Sequence, residues 1–212
     1  MGTGLNIIHC DEAMVVVIKP PELLSVSGRG PHNQDSVATR LRKLLPDIID
    51  QPAVHRLDMQ TSGLLVMART AQAHRNLSRQ FEQQQVLKRY VAVLEKTIKP
   101  ISGTILLRFR LDPENRPYQV FDPVSGKISL TDWHKISDIK GGSRIEFRPL
   151  TGRTHQLRLH AAHPRGLNAA IVGDRLYGSG QPQDTMLLHA CYLCFLHPTE
   201  GRPCDFFSEP LF

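Results

Sequence analysis

The sequence is short of several things, and each shortage removes a class of function. No run of 18 apolar residues occurs, so no membrane-spanning helix is expected. The opening MGTGLNIIHCDEA has no basic region leading into a long apolar segment, which argues against a secretion signal. Met1-Gly2 has the form of a myristoylation start, but Asn6 stands where that motif needs Ser or Thr. A Walker-type glycine loop and a G-x-G-x-x-G after a strand are both missing, so no nucleotide cofactor is expected. Aromatic residues make up only 6% of the chain, thin for the stacking platforms of a sugar-cleaving enzyme. Of the four cysteines, Cys191 and Cys194 have C-x-x-C spacing, but Cys10 and Cys204 supply no second pair. HACYLCFLHP reads as a strand, and residues three apart on a strand face opposite sides. Free thiols in a reducing cytoplasm are therefore expected, with no zinc.

What is present is a chain of 212 residues, 41% apolar, with a formal net charge of +6. That size and apolar content suit one domain spanning residues 1–212, because no repeat, low-complexity segment or linker interrupts it. The positive balance permits a polyanionic partner without establishing one. Residues 5–19 read as one strand carried by Met14–Ile18 and stopped by Pro20-Pro21. Asp35 or Ser36 is placed to cap a helix over 36–45, and Thr70 a helix over 71–85. Further strands are expected over 88–94, 101–111 and 143–149, with 115–126 as loop.

The most informative stretch is 54–70, VHRLDMQTSGLLVMART. His55, Arg56 and Asp58 come first, Thr61-Ser62-Gly63 turns the chain, and Leu64–Ala68 is a short, bounded aliphatic run read as a buried strand. An acid beside an arginine just ahead of a core strand is costly to bury without a partner. The turn lets the polar loop fold back over the sheet, where ligand-contacting loops sit. Taken alone, HRLD reads first as an ordinary polar turn with a surface ion pair.

The whole string resembles the signature HRLD-x-x-TSG-L of the RluA-type pseudouridine synthases, with Asp58 at the position of the catalytic aspartate. Other segments agree in order. IKPPELLSV is similar to the family's K-P-x-G-L-x-V but carries Glu22 in place of glycine, which puts the loop path there in question if that glycine needs a positive φ. Lys88-Arg89-Tyr90-Val91-Ala92 matches K-x-Y-x-A, and the resemblance gives Tyr90 a place beside the aspartate and target base; without it Tyr90 reads as a core tyrosine. TGRTHQLRLH, 151–160, resembles T-G-R-x-H-Q-[LI]-R-x-H, which makes Arg158 the ion-pair partner of Asp58 and leaves Arg153 to RNA phosphate or the loop framework. Thr151 or Thr154 is placed to cap a helix in which His155, Arg158 and Leu159 share a face. His155 and His160 are five apart with no H-E-x-x-H, so no metal site is expected. Val172-Gly173-Asp174-Arg175-Leu176-Tyr177-Gly178 matches V-G-D-x-x-Y-G and reads as a fold-back beside the active site. The spacer 163–170 is longer than the minimal family form.

The resemblance spans nearly the whole chain and implies an α/β (α+β) fold, a mixed, mostly antiparallel bent sheet flanked by helices. It implies an isomerase that turns uridine into pseudouridine in structured RNA, in ribosomal RNA, tRNA or both. Asp58, Tyr90 and Arg158 are the implied catalytic residues, with Arg56, His55 and Arg153 contacting RNA and Arg56 filling the place of the flipped base. No cofactor, metal or membrane partner is expected, and a cytoplasmic monomer without an N-terminal S4-type RNA-binding domain is. Two other classes compete: a non-catalytic RNA-binding or ribosome-assembly protein on the same fold, and a glycoside hydrolase with paired carboxylates. A pure binder has no use for an acid facing phosphates, and Asp58 has no acidic partner in a second recognisable motif.

Overall fold

A computed structural model describes residues 4–212; the Met1-Gly2 start lies outside the described residues. The chain divides into two compact units: one formed by residues up to Lys88 together with His189–Leu211, the other by Arg89–Leu188 with Phe212. Strand pairing is antiparallel throughout both units except for one short parallel contact, so the fold is α+β with a mostly antiparallel sheet and few helices.

In the first unit, β1 (Asn6–Cys10) and β2 (Met14–Lys19) form a hairpin rather than one strand. The break is chemical: the Asp11 carboxylate accepts the backbone N–H groups of Ala13 and Met14 at 2.8 Å each and closes a turn. Next to β2 lies β3 (Ser62–Ala68), antiparallel to it from Met14↔Ala68 to Lys19↔Gly63. Then β9 (Leu188–Leu196) runs parallel to β3 at Ser62↔His189 and Gly63↔Ala190. The carboxy-terminal β10 (Pro203–Phe207) pairs with β9. Gly63 is needed there: its φ is +111°, and a Cβ would lie 2.3 Å from the Ala190 carbonyl oxygen.

Two helices belong to this unit. Helix α1 (Val37–Leu44) begins at Ser36, whose hydroxyl accepts from Thr39 N while the Thr39 hydroxyl answers Ser36 N, a reciprocal cap. Helix α2 (Ala71–Glu82) is capped by Thr70 and sets Ala73 and Leu77 into a core with Val16, Leu64, Val66 and Phe195.

The second unit is an antiparallel sheet in the spatial order β4 (Leu87–Leu94), β8 (Gly142–Pro149), β7 (Lys127–Ile139), β5 (Ser102–Leu111), β6 (Gln119–Phe121). Strand β6 lies inside the segment expected as loop; at three residues it is too short to show an alternation in sequence. Helix α3 (Gln156–Ala162) packs Leu157, Leu159 and Ala161 against Leu107, Phe109, Ile145 and Phe147. The spacer 163–170 closes α3: Leu167 N and Ala169 N bond the carbonyls of His160 and Ala161. No helix among the described residues is long and apolar enough to cross a membrane. All four cysteines are free thiols, Cys191 buried and Cys194 half-exposed as the strand alternation requires.

Candidate active site

The Asp58 loop of the first unit is held at nearly every second residue. His55 stacks on Phe81 with ring centroids 4.4 Å apart, and its Nε2 accepts the Val66 N–H at 3.2 Å. Ser25 Oγ donates to the Leu57 carbonyl at 2.8 Å and accepts Leu57 N–H at 3.0 Å. Lys19, fully buried, donates from Nζ to the carbonyls of Met59 (2.9 Å), Leu23 (2.7 Å) and Pro20 (2.8 Å). Thr61 N–H closes onto the Asp58 carbonyl, and Ser62 Oγ meets His189 Nδ1 at 2.9 Å. His189 Nε2 in turn meets Ser208 Oγ at 3.0 Å.

With Leu57 turned into the core, the alternation leaves Arg56 exposed and Asp58 half-buried. A carboxylate and a guanidinium are thus presented on a loop whose backbone cannot drift.

Charge in this loop follows burial. Desolvation pulls the Lys19 ammonium down to about 7, with the attraction of Asp58 and Glu22 opposing it. Its three carbonyl acceptors need three N–H donors, which only the protonated amine has. Burial also pushes His55 down to about 3, helped by repulsion from Lys88, so its ring is neutral. Because Nε2 accepts from Val66, the His55 proton sits on Nδ1. Glu22 adopts the left-handed conformation at φ 62°, so this chain keeps the glycine-type loop path with a side chain in place of glycine.

The second unit holds Tyr90, Arg153 and Arg158. Tyr90 lies on β4 opposite Phe147, half-buried against the core. Arg153 is exposed, with Nε bonded to the Ile128 carbonyl at 3.0 Å. Arg158 is 2% exposed and forms a bidentate pair with Asp174, Nε to Oδ2 at 2.9 Å and Nη2 to Oδ1 at 2.6 Å. Burial pushes the Asp174 carboxyl up, but the hydrogen bonds and charge of Arg158, with the N–H groups of Leu176 and Tyr177, outweigh it and hold the group below its ordinary value.

The start of α3 differs from expectation. His155 is not in the helix but precedes it at φ 55°, and no threonine caps it by its side chain. Gln156 does the anchoring: Oε1 accepts from Thr151 Oγ1 (2.7 Å) and Arg153 N (3.0 Å), while Nε2 donates to Leu130 O (3.0 Å) and Thr131 Oγ1 (2.9 Å). A side chain that satisfies four groups inside the fold displaces the local threonine cap, because Thr151 is spent on Gln156 and on Leu130 N.

Lys19 and Asp174 carry parts that sequence reasoning left without a role. Their signals were present as a charge at the end of an aliphatic strand and an acid between a glycine and a turn. Only the fold says that both are buried.

This geometry belongs to a known class. A family model described as RNA pseudouridylate synthase matches residues 13–163, and the chain belongs to that family of isomerases. It is 39% identical to the dual-specificity RNA pseudouridine synthase RluA of Yersinia pestis, over 97% of this chain and 99% of that protein. The RluA of Escherichia coli strain K12 is 38% identical over 95% of this chain and 91% of its own length. Among solved structures, human RNA pseudouridylate synthase domain containing 1 superposes with a TM-score of 0.79 at 29% identity, covering 99% of this chain and 84% of that one.

Proposed function

We propose that this protein isomerises particular uridines in structured RNA with Asp58 as the reacting carboxylate, and that its substrates include both ribosomal RNA and tRNA stem-loops. The observation that carries the assignment is the pinning of residues 55, 57, 59 and 62 around Asp58. A carboxylate that meets a sugar or base at one fixed distance needs such a loop. The two-substrate reading is supported by relatives named as dual-specificity enzymes.

The reaction breaks N1–C1′, turns the uracil, forms C5–C1′ and moves a proton from C5 to N1, so atoms and electrons balance without a redox partner. Asp58 acts at the sugar as nucleophile or base. Arg158 supplies the cation that keeps a carboxylate ionised away from water. Tyr90 stacks on the flipped ring. Flipping a base out of structured RNA costs roughly a few kcal/mol, and Arg56, exposed two residues before Asp58, enters the vacated stack. Arg153 serves the phosphate backbone. His55 is assigned to the framework instead of RNA contact, because its ring is spent on Phe81 and Val66. We further read the chain as one catalytic domain, a cytoplasmic monomer working without a cofactor.

The test maps pseudouridine by carbodiimide-dependent reverse-transcription stops in ribosomal RNA and tRNA from cells lacking the gene, with purified protein added back. Wild type restores the lost sites and Asp58→Asn restores none, while both bind the RNA equally. Restoration by Asp58→Asn sinks the assignment; no lost site in either pool favours a binding protein.

A further inference from the structure

We propose that Asp174 is a positioning residue for the isomerisation, fixing the plane of the Arg158 guanidinium, with the Tyr177 ring as its second support. The proposal rests on the reading that Arg158 serves the reacting carboxylate.

The pair is almost wholly buried, with side-chain exposures of 3% for Arg158 and 0% for Asp174. A buried ion pair is a poor source of stability, since apolar side chains of the same volume do as well. What it does supply is geometry. Bonding through Nε and Nη2 together fixes the rotation of the guanidinium about its own axis, which a lysine in place of Arg158 cannot do.

Asp174 is itself immobilised. Its Oδ1 also accepts the N–H groups of Leu176 (2.9 Å) and Tyr177 (3.1 Å). The preceding Gly173 sits at φ +78°, where a Cβ would lie 2.2 Å from the Thr185 carbonyl oxygen. The Arg158 Cζ lies 5.3 Å from the Tyr177 ring centroid, which limits tilt as the carboxylate limits rotation.

The Tyr177 ring is held in turn by its hydroxyl. That oxygen accepts Gln119 N–H at 2.9 Å and lies 2.8 Å from His155 Nδ1, in hydrogen-bonding contact with the ring. Three segments distant in sequence, around 119, 155–158 and 173–177, are thereby locked about one guanidinium. With Nε and Nη2 held by Asp174, the direction in which Arg158 presents its remaining N–H groups, and the charge they carry, is fixed.

The experiment is single-turnover pseudouridine formation on a stem-loop RNA that the wild-type protein modifies, with RNA affinity measured in parallel. Asp174→Asn is expected to slow the step by about a hundredfold while the RNA dissociation constant stays within about threefold. In the Arg158→Lys background, Asp174→Asn adds no further loss, because the group it positions is gone. Should Asp174→Asn not fold, Tyr177→Leu is expected to slow the step about tenfold and Tyr177→Phe, which keeps the ring but loses the hydroxyl that holds it, to slow it less.

Folded Asp174→Asn at the wild-type rate overturns the proposal, as do losses that simply add in the double variant or equal rates for the two Tyr177 variants. Wild-type activity is the control on the functional reading itself. A wild-type protein with no product overturns both, whereas product from wild type with an indifferent Asp174 overturns this inference alone.

Discussion

Glu22 occupies a backbone conformation in which its Cβ crowds the following carbonyl, at φ 62° on the loop that also receives the Lys19 ammonium. Non-glycine residues there are strained by roughly 1–2 kcal/mol. Comparing Glu22→Gly with Glu22→Ala isolates that strain, since both lose the carboxylate and only alanine keeps the Cβ. The glycine variant is expected to be the more stable by about 1 kcal/mol, a difference of about 2–4 °C in melting temperature for a chain of this size. Equal melting temperatures would show that the loop relaxes around either residue. Single residues at the site behave alike: Arg56 is exposed and Asp58 half-buried where Leu57 between them is drawn into the core.

Among the elements, α3 and its approach bear most on chemistry, and they were the least legible in sequence. T-G-R-T-H-Q offers two threonines in cap positions, a local reading that propensity favours. The fold instead spends Gln156 on Leu130 and Thr131 of the neighbouring strand β7. Bonds across a sequence separation of about 25 residues leave no local trace. Replacing Gln156 by leucine strips the fully buried Thr131 hydroxyl of its amide partner inside the fold. Such a buried orphan costs about 1–3 kcal/mol, so thermal unfolding should shift down by at least about 2 °C, and pseudouridine formation should fall with it because Arg158 is two residues further along the same helix. An unchanged melting temperature would mean that water replaces the amide. By contrast α1, α2, β3, β4, β5 and β8 were readable, because their caps and apolar patterns lie within the elements themselves. The β1–β2 hairpin was read as one strand because its turn is made by a single carboxylate, Asp11, with no glycine or proline to mark it.

At the scale of the whole molecule, acid stability follows from two neutral histidines, one in each unit. Ser129 Oγ donates to the Leu107 carbonyl at 2.8 Å, so the fully buried His160 must donate to it from Nε2. Burial pulls His160 down to about 4 and His55 to about 3, both from 6.5. As the folded values lie below the unfolded one, the unfolded chain takes the proton first. Stability is therefore complete above about pH 6.5 and is lost as the pH falls toward 4. For His160 alone the loss is roughly 3 kcal/mol across that window, at about 1.4 kcal/mol per pH unit. Urea unfolding measured from pH 7 to 4 should show this fall, and His160→Gln, which can still donate to Ser129, should flatten its slope. A slope that His160→Gln leaves untouched would place the acid sensitivity elsewhere.

The sequence by itself determined the family, the reaction and the position of Asp58, because a turn of fixed residues before an aliphatic strand is a local pattern. It also determined that Tyr90 and Arg158 stand in the matching motifs. Only the tertiary structure decided that His55 stacks on Phe81 and accepts the Val66 N–H, that Lys19 ties the Asp58 loop through three carbonyls, and that Arg158 is gripped by Asp174 against the Tyr177 ring. Those facts depend on which polar groups become buried and must then be paired. Burial is a property of the packed chain, joining residues such as 119, 155 and 177 that no sequence spacing connects.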